Sequence, residues 1–397
     1  MLPRIKIFFE NGALNQVAPS PDGVLGIVCT GTAVVDTFAL ATAYTLRSLA
    51  QLTALGVTAT NNAPLVKIVT EFYDQAGEGT EVWIMAFPDT VKMSDMVDKD
   101  TAYATSLVAA ANGRLRGIIV SRTPGVGYVP VVTNGMDADV ELAIINGQLL
   151  AEYTADVQFA PIFIILEGYE YTGVPSALPD LTLLENNRVA VFIGDTDSAS
   201  KGASMGTIAG RIASTPVQRN LGRVKDGPLA PVKTYIKSTI TELADVASIH
   251  DKGFIVFRTF VGRSGYFFND DFMATLPTDD YSHLTARRTI DKAFRICYDV
   301  LLEQLLDEIP VNGDGTMQAP MVKTWQMLVE NAIATQMTAN GELSADAADP
   351  KDRGVKCFID ANQNIISTSK MNVSVRVRPF GYPRYIDVYL GFQVVAS

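Results

Sequence analysis

The sequence predicts an α/β domain with a mainly parallel sheet, then an α+β domain, with a strand-forming arm at each end of the chain. From residue 22 to residue 213, short apolar runs alternate with helical patterns, which is typical of a parallel sheet covered by helices. A stretch rich in proline and glycine then marks a change of pattern. The predicted parts are residues 1–21 (arm and linker), 22–232 (α/β domain), 233–378 (α+β domain) and 379–397 (arm).

The α/β domain is predicted from five strands and five helices that follow one another in turn. The apolar runs predict strands at residues 24–29, 81–87, 116–121, 161–167 and 188–193. The helical patterns lie at residues 38–55, 63–75, 94–111, 138–153 and 203–212. Asn62 and Ser94 suit the N-cap position, and Gly56, Gly77 and Gly113 suit helix ends. This order predicts a Rossmann-like sheet with right-handed crossovers.

The α+β domain is predicted from a hairpin, two long helices and two late strands. The hairpin covers residues 254–268, and the first long helix covers residues 282–309. One face of that helix is apolar, and the other carries charges that include Arg288, Lys292 and Arg295, which we expect to face solvent or a partner. The second helix starts near Pro320, and strands follow at 355–360 and 371–378. This sheet is short of strands unless the arms join it.

Both ends of the chain alternate apolar and polar residues with a period of two, which indicates half-buried strands. The apolar positions are Ile5, Ile7 and Phe9 at one end and Ile386, Val388, Leu390 and Phe392 at the other. Neither run has a hairpin partner next to it in sequence. An unpaired strand exposes backbone donors and acceptors that another chain can complete. The arms are therefore predicted to add strands to the sheets of neighbouring subunits.

Composition restricts the classes of function. The formal net charge of −11 argues against nucleic acid as the main partner, because phosphate contacts need clustered Lys and Arg. No apolar run reaches the ~18–20 residues of a membrane helix, so direct membrane insertion is not expected, and no signal peptide is recognised. Three scattered cysteines and two distant histidines predict buried thiols of a cytosolic protein. No metal, cofactor or catalytic residue is expected.

One segment resembles a ligand loop. Residues 194–202 (GDTDSASKG) follow a predicted strand and precede a helix, and such turns can bind phosphate through free backbone N–H groups. A P-loop, however, places Lys after its second glycine and before Ser or Thr, whereas Lys201 precedes Gly202 and Ala203 follows. Asp195 and Asp197 would also repel phosphate. An ordinary surface loop is the expected interpretation, and a nucleotide-binding α/β enzyme is the alternative.

The C-terminal half resembles the conserved domain of contractile-tail sheath proteins, found in phage tails, tailocins and contractile injection systems. The resemblance is carried by a hairpin, a helix start and a late strand: residues 253–258 (GFIVFR), 262–270 (GRSGYFFND), 287–293 (RRTIDKA), 341–343 (GEL) and 356–360 (KCFID). It implies a structural subunit without enzymatic activity, which stacks as hexameric rings around an inner tube and contracts to drive that tube through a target envelope. Subunits of this family exchange terminal strands and need no nucleotide for firing.

The same resemblance implies the partners and the placement of the domains. The partners would be other copies of the chain, the inner tail tube protein, and baseplate and terminator proteins, with assembly in the cytoplasm as part of a tail-like particle. The α/β domain would lie outside and the α+β domain near the tube. The charges expected to face the tube are Arg287, Arg288, Lys292 and Arg295. A non-polymerising tail or baseplate adaptor stays open as a third hypothesis beside the sheath and the enzyme.

Overall fold

A computed structural model of the chain describes residues 21–391, and it divides into two compact units after Asp299. The hairpin and most of the long helix that follows therefore lie in the first unit. This division does not coincide with the expected boundary near residue 232. The first strand of the predicted hairpin, Ile255–Arg258, pairs with the large sheet of the first unit instead of starting a new sheet.

Short strands and short helices alternate through most of the first unit. The strands in chain order are β1 (Leu25–Thr30), β2 (Tyr44–Leu46), β3 (Val82–Phe87), β4 (Gly117–Ser121), β5 (Val132–Thr133), β6 (Met136–Asp137), β7 (Phe163–Glu167), β8 (Glu185–Asn186), β9 (Val189–Ile193), β10 (Tyr235–Ile236), β11 (Thr239–Ile240), β12 (Ile255–Arg258), β13 (Phe267–Phe268) and β14 (Ala274–Thr275). The helices are α1 (Leu49–Ala54), α2 (Ala63–Ala76), α3 (Met93–Met96), α4 (Ala104–Ala111), α5 (Ala138–Asp156), α6 (Met205–Ser214), α7 (Val246–His250) and α8 (Leu284–Leu302).

An eight-stranded sheet organises the first unit, in the order β13-β12-β9-β7-β4-β1-β3-β2. The six strands from β12 to β3 are parallel, and the antiparallel strands β13 and β2 form the edges. In the central register, Ile27 of β1 lies between Ile84 and Ile119. All five residues of β4, β7 and β9 are buried, as expected for strands covered on both faces.

The two faces of the sheet support two separate hydrophobic cores. Alternate residues of β1 and β3, such as Val28 and Met85, pack with α3, α4 and α5. The intervening residues, such as Ile27 and Ile84, pack with α1, α2 and α6. The period of two along each strand therefore places apolar side chains in both cores. This explains why the strands are apolar throughout.

Helices α2 and α6 approach each other closely because α6 carries glycine at two contact positions. A Cβ atom on Gly206 would overlap the Ile68 carbonyl oxygen and lie 2.7 Å from Glu71 Cβ. A Cβ atom on Gly210 would lie 2.6 Å from the Phe72 carbonyl oxygen. Glycine at these positions lets the backbones touch.

The predicted strands of the α/β region are confirmed to within two residues, and the hairpin is confirmed as β12–β13. The prediction of one helix over residues 38–55 is wrong. Tyr44–Leu46 pairs with β3, and Ala41 has a φ of 55°, which a helix cannot hold, so only Leu49–Ala54 is helical. The backbone N–H of Ala41 donates to the Ala86 carbonyl at 2.9 Å. The Ala41 N–H, which a helix would have used for an intrahelical hydrogen bond, is therefore bonded to β3 instead.

The predicted helix over residues 94–111 is also wrong as a single element. It divides into α3 and α4, and a turn around Asp98 lies between them. Ser94 is not the N-cap: it lies inside α3, where its hydroxyl donates to Asp139 at 2.5 Å. Asn62 does occupy the N-cap position of α2, and its side chain holds both the N–H and the C=O of Thr32.

The second unit is an α+β unit with a two-stranded sheet. It contains α9 (Ala319–Ile333), which continues as a π-helical turn over Ala334–Thr338, then β15 (Val355–Ile359), α10 (Ile365–Thr368) and β16 (Val373–Val377). Pro320 lies in the first turn of α9, as predicted. The strands β15 and β16 pair antiparallel, with Cys357 opposite Val375. Trp325, Val329 and Ile333 of α9 supply buried side chains.

Candidate functional site

The two-stranded sheet of the second unit has an open edge. Along β15 the residues alternate strictly between buried and exposed, whereas every residue of β16 is at least partly exposed. The Cys357 N–H of β15 donates to Glu330 of α9 at 2.8 Å, so α9 covers part of the β15 edge and the open edge is that of β16. Among the described residues, β16 has β15 as its only strand neighbour. Because two-stranded sheets are marginal in water, this edge suits the addition of further strands.

The C-terminal arm lies beyond this sheet. Residues 379–391 are assigned to no strand, and the apolar positions are largely exposed: Ile386 by 74%, Val388 by 69% and Leu390 by 94%. The period-two pattern is thus present without a partner strand in the described chain. Phe392 and the N-terminal positions Ile5, Ile7 and Phe9 lie outside the described residues. Strand formation by the arms stays a prediction.

Helix α8 buries the face that was predicted to be exposed. Arg287, Arg288 and Asp291 are buried, whereas Phe294 and Tyr298 are 38% and 37% exposed. Arg287 and Asp291 form an i,i+4 ion pair at 2.8 Å on this buried face. The prediction was wrong because it assigned burial by hydrophobicity alone. Buried backbone carbonyls and carboxylates beneath the helix require cationic donors, and the arginines supply them.

Each of the four predicted tube-facing cations has a partner within the first unit. Arg288 donates to the carbonyls of Ile212, Thr215 and Pro216 near the end of α6, at 3.1, 2.8 and 3.4 Å. Lys292 donates to Asp22 at 2.6 Å, and Arg295 donates to the Pro161 carbonyl at 3.0 Å. Arg287 pairs with Asp291, as above, and lies over the Tyr281 ring. In the single chain these side chains therefore hold the fold together.

The loop at residues 194–202 lies among carboxylates. Asp195 is buried and pairs with Lys67, while Lys201 pairs with Glu170. A Cβ atom on Gly202 would lie 2.7 Å from Glu167 Oε2. The one lysine of the loop is thus neutralised, and the glycine faces a carboxylate. Acidic groups occupy the position where a phosphate would need donors, so the loop does not have the electrostatics of a phosphate site.

Glu167 is the buried carboxylate that sequence reasoning missed. It is the last residue of β7, and it accepts hydrogen bonds from the Arg122 N–H and from the Ser121 hydroxyl at 3.0 Å. Burial raises the pKa of Glu167 to about 7, although the hydrogen bonds to the carboxylate act to lower it. Burial and the nearby Glu167 also raise the pKa of Cys29 to about 12, so the thiol is not reactive. The sequence signal was a lone acid closing an apolar strand.

Asp270, Asp271 and His283 form a second cluster, in which hydrogen bonds hold the two carboxylates. Ligand atoms of Asp270, Asp271 and His283 lie within 4.8 Å of one another, a spacing that a metal ion could bridge. The Asn220 amide, however, donates to both carboxylates, at 2.5 and 2.6 Å, and Asp271 also accepts from the Thr285 N–H at 2.8 Å. The arrangement links the loop after α6 to the start of α8. We interpret it as structural.

The described part of the chain contains no helix with the length and apolarity that a membrane crossing requires.

The whole fold is similar to that of solved contractile-tail structures. A chain of the anti-feeding prophage (AFP) helical sheath in its contracted state matches with a TM-score of 0.60 and 16% identity, covering 99% of both chains. A chain of the contracted PVC sheath complex, from an extracellular contractile injection system, matches with a TM-score of 0.62 and 13% identity, covering 99% of this chain and 98% of that one. The sheath tail protein of Desulfitobacterium hafniense matches at 0.52 and 10% identity, covering 90% and 94%. The fold is thus that of contractile tail sheath structures.

The sequence itself identifies a family. Residues 2–272 match the DUF2586 N-terminal domain, and residues 280–397 match the DUF2586 C-terminal domain. The chain therefore belongs to the DUF2586 family. No curated protein matches it in sequence. The family match divides the chain between residues 272 and 280, close to the start of α8.

Proposed function

We propose that this chain is a structural subunit of a contractile tail sheath, which polymerises as stacked hexameric rings around an inner tube and contracts to drive that tube through a target envelope. The observation that carries the proposal is the fold match over 97–99% of both chains with the AFP and PVC structures. A match over the whole length includes both units, whereas a shared α/β domain alone would be compatible with many functions. The parallel strand order supports a Rossmann-like outer domain.

The proposed connection between subunits is strand exchange at the small sheet. The open edge of β16 offers unpaired backbone groups, and the exposed apolar positions Ile386, Val388 and Leu390 offer one face of an added strand. The N-terminal arm would supply a second added strand through Ile5, Ile7 and Phe9. Main-chain hydrogen bonds would then hold neighbouring subunits together while flexible linkers allow the units to rotate.

Firing would draw on the difference in subunit packing between extended and contracted states, so no nucleotide is required. The acidic surroundings of residues 194–202 support this non-enzymatic proposal. The inner tube, the baseplate and a terminator protein are the proposed partners, with assembly in the cytoplasm into a tail-like particle. A tube contact through Arg287, Arg288, Lys292 or Arg295 stays a prediction, and it requires them to exchange their present intramolecular partners.

The test is assembly by purified full-length chain, alone and with its tube protein, observed by negative-stain electron microscopy. We expect hollow cylinders with regular striations. Deleting residues 385–397 should leave a folded, soluble chain that forms no cylinders. If this truncation unfolds the chain, the arm pairs within its own subunit and strand exchange is refuted. A small complex of fixed stoichiometry in every condition would indicate a baseplate adaptor instead.

A matched pair of substitutions tests the strand register of the arm. Val388→Asp places a charge on the apolar face, whereas Asp387→Ser changes the opposite face. An added strand with period-two burial predicts that Val388→Asp abolishes cylinders and that Asp387→Ser leaves them intact. Equal effects of the two substitutions would contradict strand addition in this register.

A further inference from the structure

A cavity on the first unit has no role in the proposed sheath function. It has a volume of about 510 Å³ and lies between the end of α4, the segment after α5 and the last turns of α8. This volume lies within the range of about 300–1,000 Å³ typical of small-molecule sites. Its walls combine two arginines, Arg116 and Arg295, with two aromatic rings, Phe159 and Tyr298.

Arg295 is a cation with a neutral partner. Its Nη2 donates to the Pro161 carbonyl at 3.0 Å, and its Nε has no hydrogen-bond acceptor among the described residues. Asp291, one helical turn before Arg295, already forms ion pairs with Arg188 at 3.2 Å and with Arg287 at 2.8 Å. Burial, and then the proximity of Arg116, lowers the pKa of Arg295 to about 9. The guanidinium is still charged at neutral pH, but its surroundings do not solvate it well.

Arg116 lines the same cavity and donates from Nη1 to the Gly113 carbonyl at 2.9 Å. Two guanidiniums in the lining of one cavity favour a bound anion, because each can donate charge-assisted hydrogen bonds to a carboxylate or a phosphate. The carboxylate of the cavity is Asp299, which is exposed.

The cavity lining also contains two aromatic rings that are partly exposed to solvent. The rings of Phe159 and Tyr298 stack with centroids 5.4 Å apart and an interplanar angle of 16°. Phe159 is 50% exposed and Tyr298 is 37% exposed, although both are large apolar side chains. Covering these rings would remove apolar surface from water, which favours a ligand with an apolar or aromatic body.

We propose that this cavity binds an oxyanion, a carboxylate or phosphate group, attached to an apolar or aromatic body, with Arg116 and Arg295 as its donors. The oxyanion would accept from the guanidinium groups of Arg295 and Arg116, while the body would lie against Phe159 and Tyr298. The proposal is independent of sheath assembly, since it concerns a cavity formed by one chain.

The test is isothermal titration of the full-length chain with benzoate, acetate and inorganic phosphate. We expect saturable binding of benzoate at one site per chain, tighter than acetate because benzoate carries the ring. Arg295→Gln should weaken benzoate binding by about ten- to 100-fold, the equivalent of one charge-assisted hydrogen bond. Arg263→Gln, which changes an exposed arginine of a turn, is the matched control and should have no effect. Absence of saturable binding, or equal binding by both variants, would overturn the proposal.

A second variant tests the same proposal in case Arg295→Gln misfolds. Gln158 lines the cavity, and Gln158→Glu would supply a carboxylate from the chain itself. We expect a higher melting temperature and loss of stabilisation by benzoate. The control is Gln336→Glu at an exposed position of the second unit, which should change neither quantity. If Gln158→Glu lowers the melting temperature and benzoate still stabilises it, the cavity is not an anion site.

Discussion

Replacing Arg288 with methionine should destabilise the first unit of the free chain. Arg288 is 3% exposed, and its guanidinium donates to the Ile212 and Thr215 carbonyls at 3.1 and 2.8 Å. The last carbonyls of a helix have no intrahelical partner, so removing the donor leaves buried acceptors unsatisfied. Methionine fills a similar volume without donors. We expect a loss of about 3–5 kcal/mol in the free energy of unfolding, as for breaking a buried charged interaction.

The assay is urea unfolding followed by tryptophan fluorescence. The chain has two tryptophans, Trp83 in the first unit and Trp325 in the second, so a Trp325→Phe background makes Trp83 the reporter. With a slope of about 3 kcal/mol per M of urea, the midpoint should fall by about 1–1.7 M. Arg263→Met at an exposed turn is the control and should change stability by less than about 0.5 kcal/mol. An unchanged midpoint in Arg288→Met together with lost assembly would refute the reasoning, because Arg288 would then act on a partner.

Three further predictions concern the first unit. Gly206→Ala should cost at least about 2 kcal/mol in the free energy of unfolding, because the new methyl group overlaps the Ile68 carbonyl oxygen. The control is Gly313→Ala in the second unit, where the added Cβ meets nothing within 4 Å; both variants are unfolded in urea in the chain that keeps Trp83 and Trp325. Burial raises the pKa of Glu167 from 4.5 to about 7, so its contribution to stability is present below pH 4.5 and is lost as pH rises through 7. Between pH 4.5 and 7.5, wild type should therefore lose about 3 kcal/mol in the free energy of unfolding relative to Glu167→Gln. A difference between the two proteins that does not change with pH would contradict the raised pKa of Glu167. A titration with ATP should show no saturable binding, because Lys201 is neutralised by a carboxylate; binding that disappears in Lys201→Ala would revive the enzyme hypothesis.

The parallel strands could be predicted from sequence because both faces of each strand are buried. Runs such as Val189–Ile193 are apolar at every position, and that pattern does not depend on distant contacts. The segment before α1 could not be predicted, since its Ala- and Thr-rich sequence is compatible with a helix. Pairing of Tyr44–Leu46 with β3 decided its conformation, and only the tertiary structure provides that partner.

The face of α8 could not be predicted for a related reason. Periodicity identifies the apolar and charged stripes, but not which stripe meets unpaired carbonyls. Arg288 is buried because the end of α6 lies beneath it. The same limit applies to the cavity, where Arg116 and Arg295 are 179 positions apart in sequence and meet only in the folded unit. The period-two pattern of the arms is local and can be recognised in the sequence, but strand formation by the arms stays a prediction.

The large sheet ends in very short edges, three residues in β2 and two in β13. Such edges offer few free backbone groups to another chain, so uncontrolled aggregation through this sheet is disfavoured. If the chain assembles into a sheath as proposed, the free subunits have to stay dispersed at high concentration before assembly begins. If strand addition between chains is confined to the edge of β16, free subunits would remain in solution until an assembly nucleus recruits them.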